Sequence, residues 1–151
     1  MTMEIKIDDG SVLALLNALH AQGANLRPAM RQVAGVLADE AEQAFARETS
    51  PEGKPWPGLA ESTEKQREKE GKWPGPILQV LGRLAGSVQQ EYGPDHASVG
   101  TNVIYARIHQ LGGEAGRGHK VYIPPRPFLG LSPSGQGEIL DILQRHLMSG
   151  L

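Results

Sequence analysis

Thr101-Asn-Val-Ile-Tyr-Ala-Arg-Ile-His-Gln-Leu111-Gly-Gly, running on to Ile123-Pro-Pro-Arg-Pro-Phe-Leu-Gly-Leu131, is the stretch around which the rest of the chain is read. Ile104, Ile108 and Leu111 recur at i, i+4 and i+7, the spacing of a helical face, with Asn102 placed to cap the helix and Gly112 to end it. The polar run from Gly112 to Lys120, with glycine at 112, 113, 116 and 118, predicts a backbone that is costly to order. Val121, Tyr122 and Ile123 then predict a short strand. Pro124, Pro125 and Pro127 fix three φ angles and remove three donors, which ends strand pairing and predicts an extended arm directed outward. Phe128 and Leu129 at its tip are apolar anchors that need a pocket, in this chain or in a neighbour. Arg126 reads as a partner for a carboxylate of a neighbouring subunit, with an ordinary exposed arginine as the alternative. An arm stiffened by prolines loses less entropy on docking, which favours the first.

Working outward, Met3, Ile5 and Ile7 alternate with Glu4 and Lys6, the period of a strand with one buried face. Ser11 is placed to cap a helix carrying Val12, Leu15, Leu16 and Leu19 on one side. Pro28 suits the first turn of a second helix, along which Met30, Val33, Ala34, Leu37, Ala41, Ala44 and Phe45 fall on one face. Asp39, Glu42 and Gln43 occupy the opposite, wet face. Between Thr49 and Gly58 the proline and glycine density argues against regular structure, and Trp56 is read as pinning that loop to the domain. Glu61 to Lys72 is a charged stretch without an apolar stripe, whose i, i+4 attractions and repulsions nearly cancel. It reads as a short solvated helix or a mobile lobe.

Ile77, Leu78, Leu81 and Leu84 predict a short apolar helix stopped by Gly86. Val88, Gln90 and Tyr92 share one face of a strand, Gly93-Pro94-Asp95-His96 turns, and Ala97 and Val99 alternate back as a hairpin. After Leu131, Ser132 and Pro133 open a last helix with Ile139, Ile142, Leu143 and Leu147 on its apolar side. The sum is an α+β chain: N-terminal helices and a C-terminal helix packed on a small, mostly antiparallel sheet, with long flexible loops. One domain over residues 1–151 is expected, with a mobile charged insertion at about 49–73.

Composition narrows the function classes. The chain has no cysteine, which removes disulfides, a thiol nucleophile and thiolate zinc sites. No apolar run approaches the roughly 18 residues of a membrane span, and no signal-peptide pattern opens the sequence, so no membrane partner is expected. A formal charge of −2 argues against electrostatic binding of nucleic acid. His109 and His119, with Glu114 between them, lack the spacing of a metal site, and Gly-x-Ser-x-Gly is absent. The glycine-rich run 112–118 follows a helix and precedes a strand, the reverse of a phosphate cradle. A small metal-dependent hydrolase using His109, His119 and Glu114 is the alternative kept open. Otherwise the sequence offers no catalytic residue, metal site or cofactor motif.

Tyr105-Ala-Arg-Ile-His-Gln-Leu-Gly-Gly113, followed by Ile123-Pro-Pro-Arg-Pro-Phe-Leu-Gly130, resembles the signature of the phage virion morphogenesis family. That family comprises the tail-completion or head–tail joining proteins of Mu-like and P2-like tailed phages. Ser50-Pro-Glu-Gly-Lys-Pro-Trp-Pro-Gly-Leu59 is similar to its proline-glycine-tryptophan segment, and Ile77-Leu78 with Gly82-Arg83-Leu84 resembles its short Gly-x-Leu helix. The chain departs from the family at Val80-Leu81, apolar where a polar residue is common, and in its highly charged 61–72 lobe. The resemblance implies a structural protein of the virion neck or tail, made in the host cytoplasm. It also implies self-association as a ring, a hexamer being the suggested size, through which DNA passes without specific binding. Tail tube, tail terminator and head connector are the implied neighbours. The residues carried over as family motif and subunit interface are Trp56, Tyr105, His109, Gln110, Gly112, Gly113, Arg126, Pro127, Phe128 and Leu129.

Overall fold

A computed structural model of the chain describes residues 10–21, 23, 25–77 and 83–149, the side chain of Arg83 excepted. Its spine is α2 (Arg27–Arg47), 21 residues and therefore about 32 Å long. Pro28 lies in its first turn, as a residue whose missing donor is needed by no one there. Glu48 ends it in the left-handed region at φ 55°, its N–H bonded to the Ala44 carbonyl. The periodic apolar face read from the sequence is the buried one: Met30, Val33, Ala34, Ala41, Ala44 and Phe45 all lie inside.

That face is long enough to serve two cores in succession. Toward its N-terminus α2 packs with the final helix, here α6 (Pro133–Ser149), on which α1 (Gly10–Ala21) packs in turn. Leu19, Leu26, Met30, Val33, Ile139, Ile142 and Leu143 are buried there, with Val12, Leu15, Leu16, Leu37 and Leu147 partly covered around them. Ser132 caps α6 by accepting the Gly135 N–H at 3.0 Å, and Glu40 of α2 fixes that cap through the Ser132 N–H (2.8 Å) and hydroxyl (2.7 Å). The entry to the last helix is thus set by a carboxylate 92 residues earlier. Toward its C-terminus α2 supplies Ala41, Ala44 and Phe45 to a second core with Trp56, Leu84, Ala106, Phe128 and Leu129.

Between the cores lies the hairpin of β1 (Gln89–Tyr92) and β2 (Ala97–Gly100), antiparallel with Tyr92 opposite Ala97, which leaves the four residues 93–96 as the turn. Tyr92 and Ala97 lean on the first core, Val88 and Val99 on the second. α3 (Glu61–Lys69) buries nothing and is held by Arg67, which donates to the carbonyls of Pro76 (2.9 Å) and Ile77 (2.8 Å). The chain is α+β, and its strands form two separate ribbons, β1–β2 and β3 (Gly113–Ala115) with β4 (Val121–Ile123). No described helix is long and apolar enough to cross a membrane. The strand expected at Met3–Ile7, and most of the apolar turn before α4 (Arg83–Gly86), lie outside the described residues.

Two local expectations change. The helix α5 runs over Ala106–Leu111, not from Asn102, and no side chain caps it. Ile104 therefore precedes the helix and is 85% exposed, and Leu111 is 60% exposed. The face turned inward is Ala106 and Gln110, an i, i+4 pair. Alanine lets the helix approach the core closely, and what α5 contributes there is hydrogen bonding rather than apolar area. The polar run 113–120 is also not structureless: Gly113, Glu114 and Ala115 pair with Ile123, Tyr122 and Val121, and residues 117–119 form a short 3-10 turn. Backbone pairing needs no apolar side chain, so periodicity could not reveal it.

Candidate functional site

The family-motif residues converge on the segment after β4, and the convergence begins with a shortage of donors. Of residues 124–129, three are prolines; the N–H groups of Arg126, Phe128 and Leu129 remain, and burial requires each to have an acceptor. The Arg126 N–H donates to the His109 carbonyl at 2.6 Å, one of the carbonyls α5 leaves free at its C-terminus. The Phe128 and Leu129 N–H groups both donate to Oε1 of Gln110, at 3.0 Å each, while Gln110 Nε2 donates to the Leu129 carbonyl at 2.9 Å. One side-chain amide so replaces a strand partner for two residues. The Pro127 carbonyl accepts from the Trp56 indole N–H at 2.8 Å.

With its polar groups matched, the segment goes in. It does not project as an arm: Phe128 is 0% exposed and Leu129 is buried beside it. The Phe128 ring lies 5.0 Å from that of Phe45, which meets Trp56 edge-on at 5.8 Å. The pocket that Phe128 needs is in its own chain. Arg126 is buried as well, and its partners are carbonyls, not a carboxylate of another subunit: Nε donates to Pro57 at 2.8 Å and Nη2 to Gly58 at 2.6 Å. Burial, then the cation of Arg67, pulls the guanidinium pKa below its ordinary value. The 56–58 loop and the 126–129 segment, some 70 residues apart, are stitched by these three bonds.

Gly112 is the hinge. At φ 73° and ψ 175° it occupies a region essentially reserved for glycine, and a Cβ there would sit 2.8 Å from Pro125 Cδ and 2.9 Å from the Ile123 carbonyl oxygen. Gly113 opens β3 opposite Ile123. His109 is half-buried with its Nδ1 enclosed and without a hydrogen-bond partner; burial, then the Arg126 charge, holds its pKa below the usual imidazole range. Tyr105 stands edge-on to it at 5.9 Å, partly exposed.

The residues named from the motif thus fall into two groups. Trp56, Gln110, Arg126, Phe128 and Leu129 are buried inside the chain itself. Tyr105 reaches solvent, as do Ile104 and, on the β3–β4 ribbon, Val121 and Tyr122. Periodicity places Ile104 and Leu111 inside, so the sequence does not reveal that they are exposed. Gln110 was named from the motif, but its task could have been read by counting donors between prolines. The ligands of the hydrolase alternative are not assembled: among the described residues, no three His, Asp or Glu side chains come within reach of one metal ion, and His119 is exposed at the 3-10 turn of the hairpin.

Such a site holds two loops against a helix, its backbone donors and carbonyls matched by Gln110, Arg126 and Trp56. A signature of this kind defines a family by fold, and the chain belongs to the phage virion morphogenesis family, whose model matches residues 7–148. Among its relatives, Mu-like prophage FluMu G protein 1 of Haemophilus influenzae is 40% identical over 149 residues, 97% of this chain and 96% of that one. Putative capsid assembly protein G of Escherichia phage Mu is 37% identical over 123 residues, covering 80% and 79%. Mu-like prophage FluMu G protein 2 of Haemophilus influenzae is 36% identical over 143 residues, 94% of each. No solved structure matches the chain.

Proposed function

We propose that this phage structural protein completes the tail or joins it to the head, as a ring of identical subunits at the neck, and is not an enzyme. Membership over residues 7–148 carries the assembly role. What supports the finer reading is the division of apolar residues. The motif core is closed within the chain, while Ile104, Tyr105, Leu111, Val121 and Tyr122 are exposed, which leaves large apolar side chains free of the core for contact with other proteins. In this reading the tail tube or terminator and the head connector are the neighbours along the axis. DNA passes the lumen without specific binding, as suits a chain of net charge −2. Disrupting the gene and imaging the lysate tests it: unjoined heads and tails, or tails of aberrant length, are expected, and infectious particles in normal yield would refute it.

A further inference from the structure

The β3–β4 ribbon has three residue pairs, and two-stranded ribbons of that size are marginal in water unless something covers them. Tyr122 and Val121 are 66% and 57% exposed, and Arg117, His119 and Lys120 form an exposed, mostly basic turn between the strands. Glu114, exposed opposite Tyr122, is the ribbon's one carboxylate, so the turn is net basic. An apolar, acidic surface would complement it.

The chain carries such a surface. Ala38, Phe45, Ala46, Ala85 and Val88 line an open groove of about 440 Å³ along α2, with Glu42 on its wall and, one turn away, the exposed Asp39, which accepts from Gln43 Nε2 at 2.6 Å. That volume lies within the range of pockets that enclose a compact group. We propose that the β3–β4 hairpin of one copy docks head to tail into the α2 groove of the next, Tyr122 as the aromatic anchor and Arg117 and Lys120 facing Asp39 and Glu42. The contact is heterologous, so repetition closes a ring when the rotation permits. The inference rests on the self-association proposed above and names its two surfaces.

The experiment uses the full chain with Tyr122→Asp, which spoils the hairpin, and Ala46→Arg, which fills the groove. Light scattering after size exclusion gives mass, and far-UV circular dichroism reports folding. Wild type should assemble and each variant should be monomeric with unchanged dichroism. Their equimolar mixture should form a dimer and nothing larger, since one sound hairpin then meets one sound groove. Should either variant misfold, Tyr122→Thr and Glu42→Arg take their places, and Arg117→Glu with Lys120→Glu should weaken assembly unless Asp39 and Glu42 are changed to Lys. A monomeric wild type, variants that assemble normally, or a mixture without dimer overturns the docking. Complementation separates this from the assembly role. Particles formed with both variants sink the docking alone, whereas particles formed with no gene product sink the assembly role. Hairpin variants that lose particles but keep wild-type self-association would assign the hairpin to another virion protein and overturn the second copy as its occupant.

Discussion

Residues 113–123 and 124–131 adjoin in sequence, and both carry large apolar side chains among glycines and prolines, yet one is exposed and the other buried. In the second, three prolines leave few donors, and each N–H from Arg126 to Leu129 finds an acceptor in α5. In the first, the strands pair, among the described residues, only with each other. Apolar character is therefore not what sorts them. A segment enters the core when its polar backbone can be matched there, because an unmatched buried group costs about as much as a buried methylene cluster gains.

The sharpest way to break the contrast is Phe128→Ala. It empties a fully buried site beside Phe45 and should cost about 3–5 kcal/mol, read as a lower urea midpoint. Gln110→Leu keeps the volume but strands the Phe128 and Leu129 donors, at about 1–3 kcal/mol each, and should also speed amide exchange at those two positions. Gly112→Ala forces strain and a clash onto the hinge and should cost about 1–3 kcal/mol by the same unfolding assay.

Acidification probes the junction of the two segments. His109 favours its neutral form in the fold, with a pKa depressed from 6.5, so its contribution is complete above the unfolded value. As pH falls below about 6.5 the unfolded chain takes up the proton first and stability declines, levelling off below the folded pKa. Unfolding midpoints across that range should show the slope, and His109→Phe should flatten it. The smallest effect on stability belongs to Tyr122→Ala, within about 0.5 kcal/mol because the ring is exposed, although self-association should be lost. A large destabilisation there would mean that the hairpin is as integral as the segment after it.

Periodicity made the helical framework legible. The α2 stripe from Met30 to Phe45, the Leu19 face of α1 and the Ser132-Pro133 start of α6 needed only spacing and cap chemistry to be read. The hairpin of β1 and β2 followed from alternation and its turn residues. The motif residues were nameable from the chain, but their work was not. Arg126 beside prolines reads equally well as a free arm or a buried tie. The choice depends on carbonyls at Pro57 and Gly58 that no local pattern connects to it.

Sequence by itself determined the helices α1, α2 and α6 and the faces they bury, since these depend on neighbours within a few residues. Tertiary structure alone decided that the proline-braced segment folds inward while the ribbon before it stays out. That outcome depends on acceptors brought from some 18 to 70 residues away, by Gln110 and by the 57–58 carbonyls, and long-range matching of polar groups leaves no periodic trace.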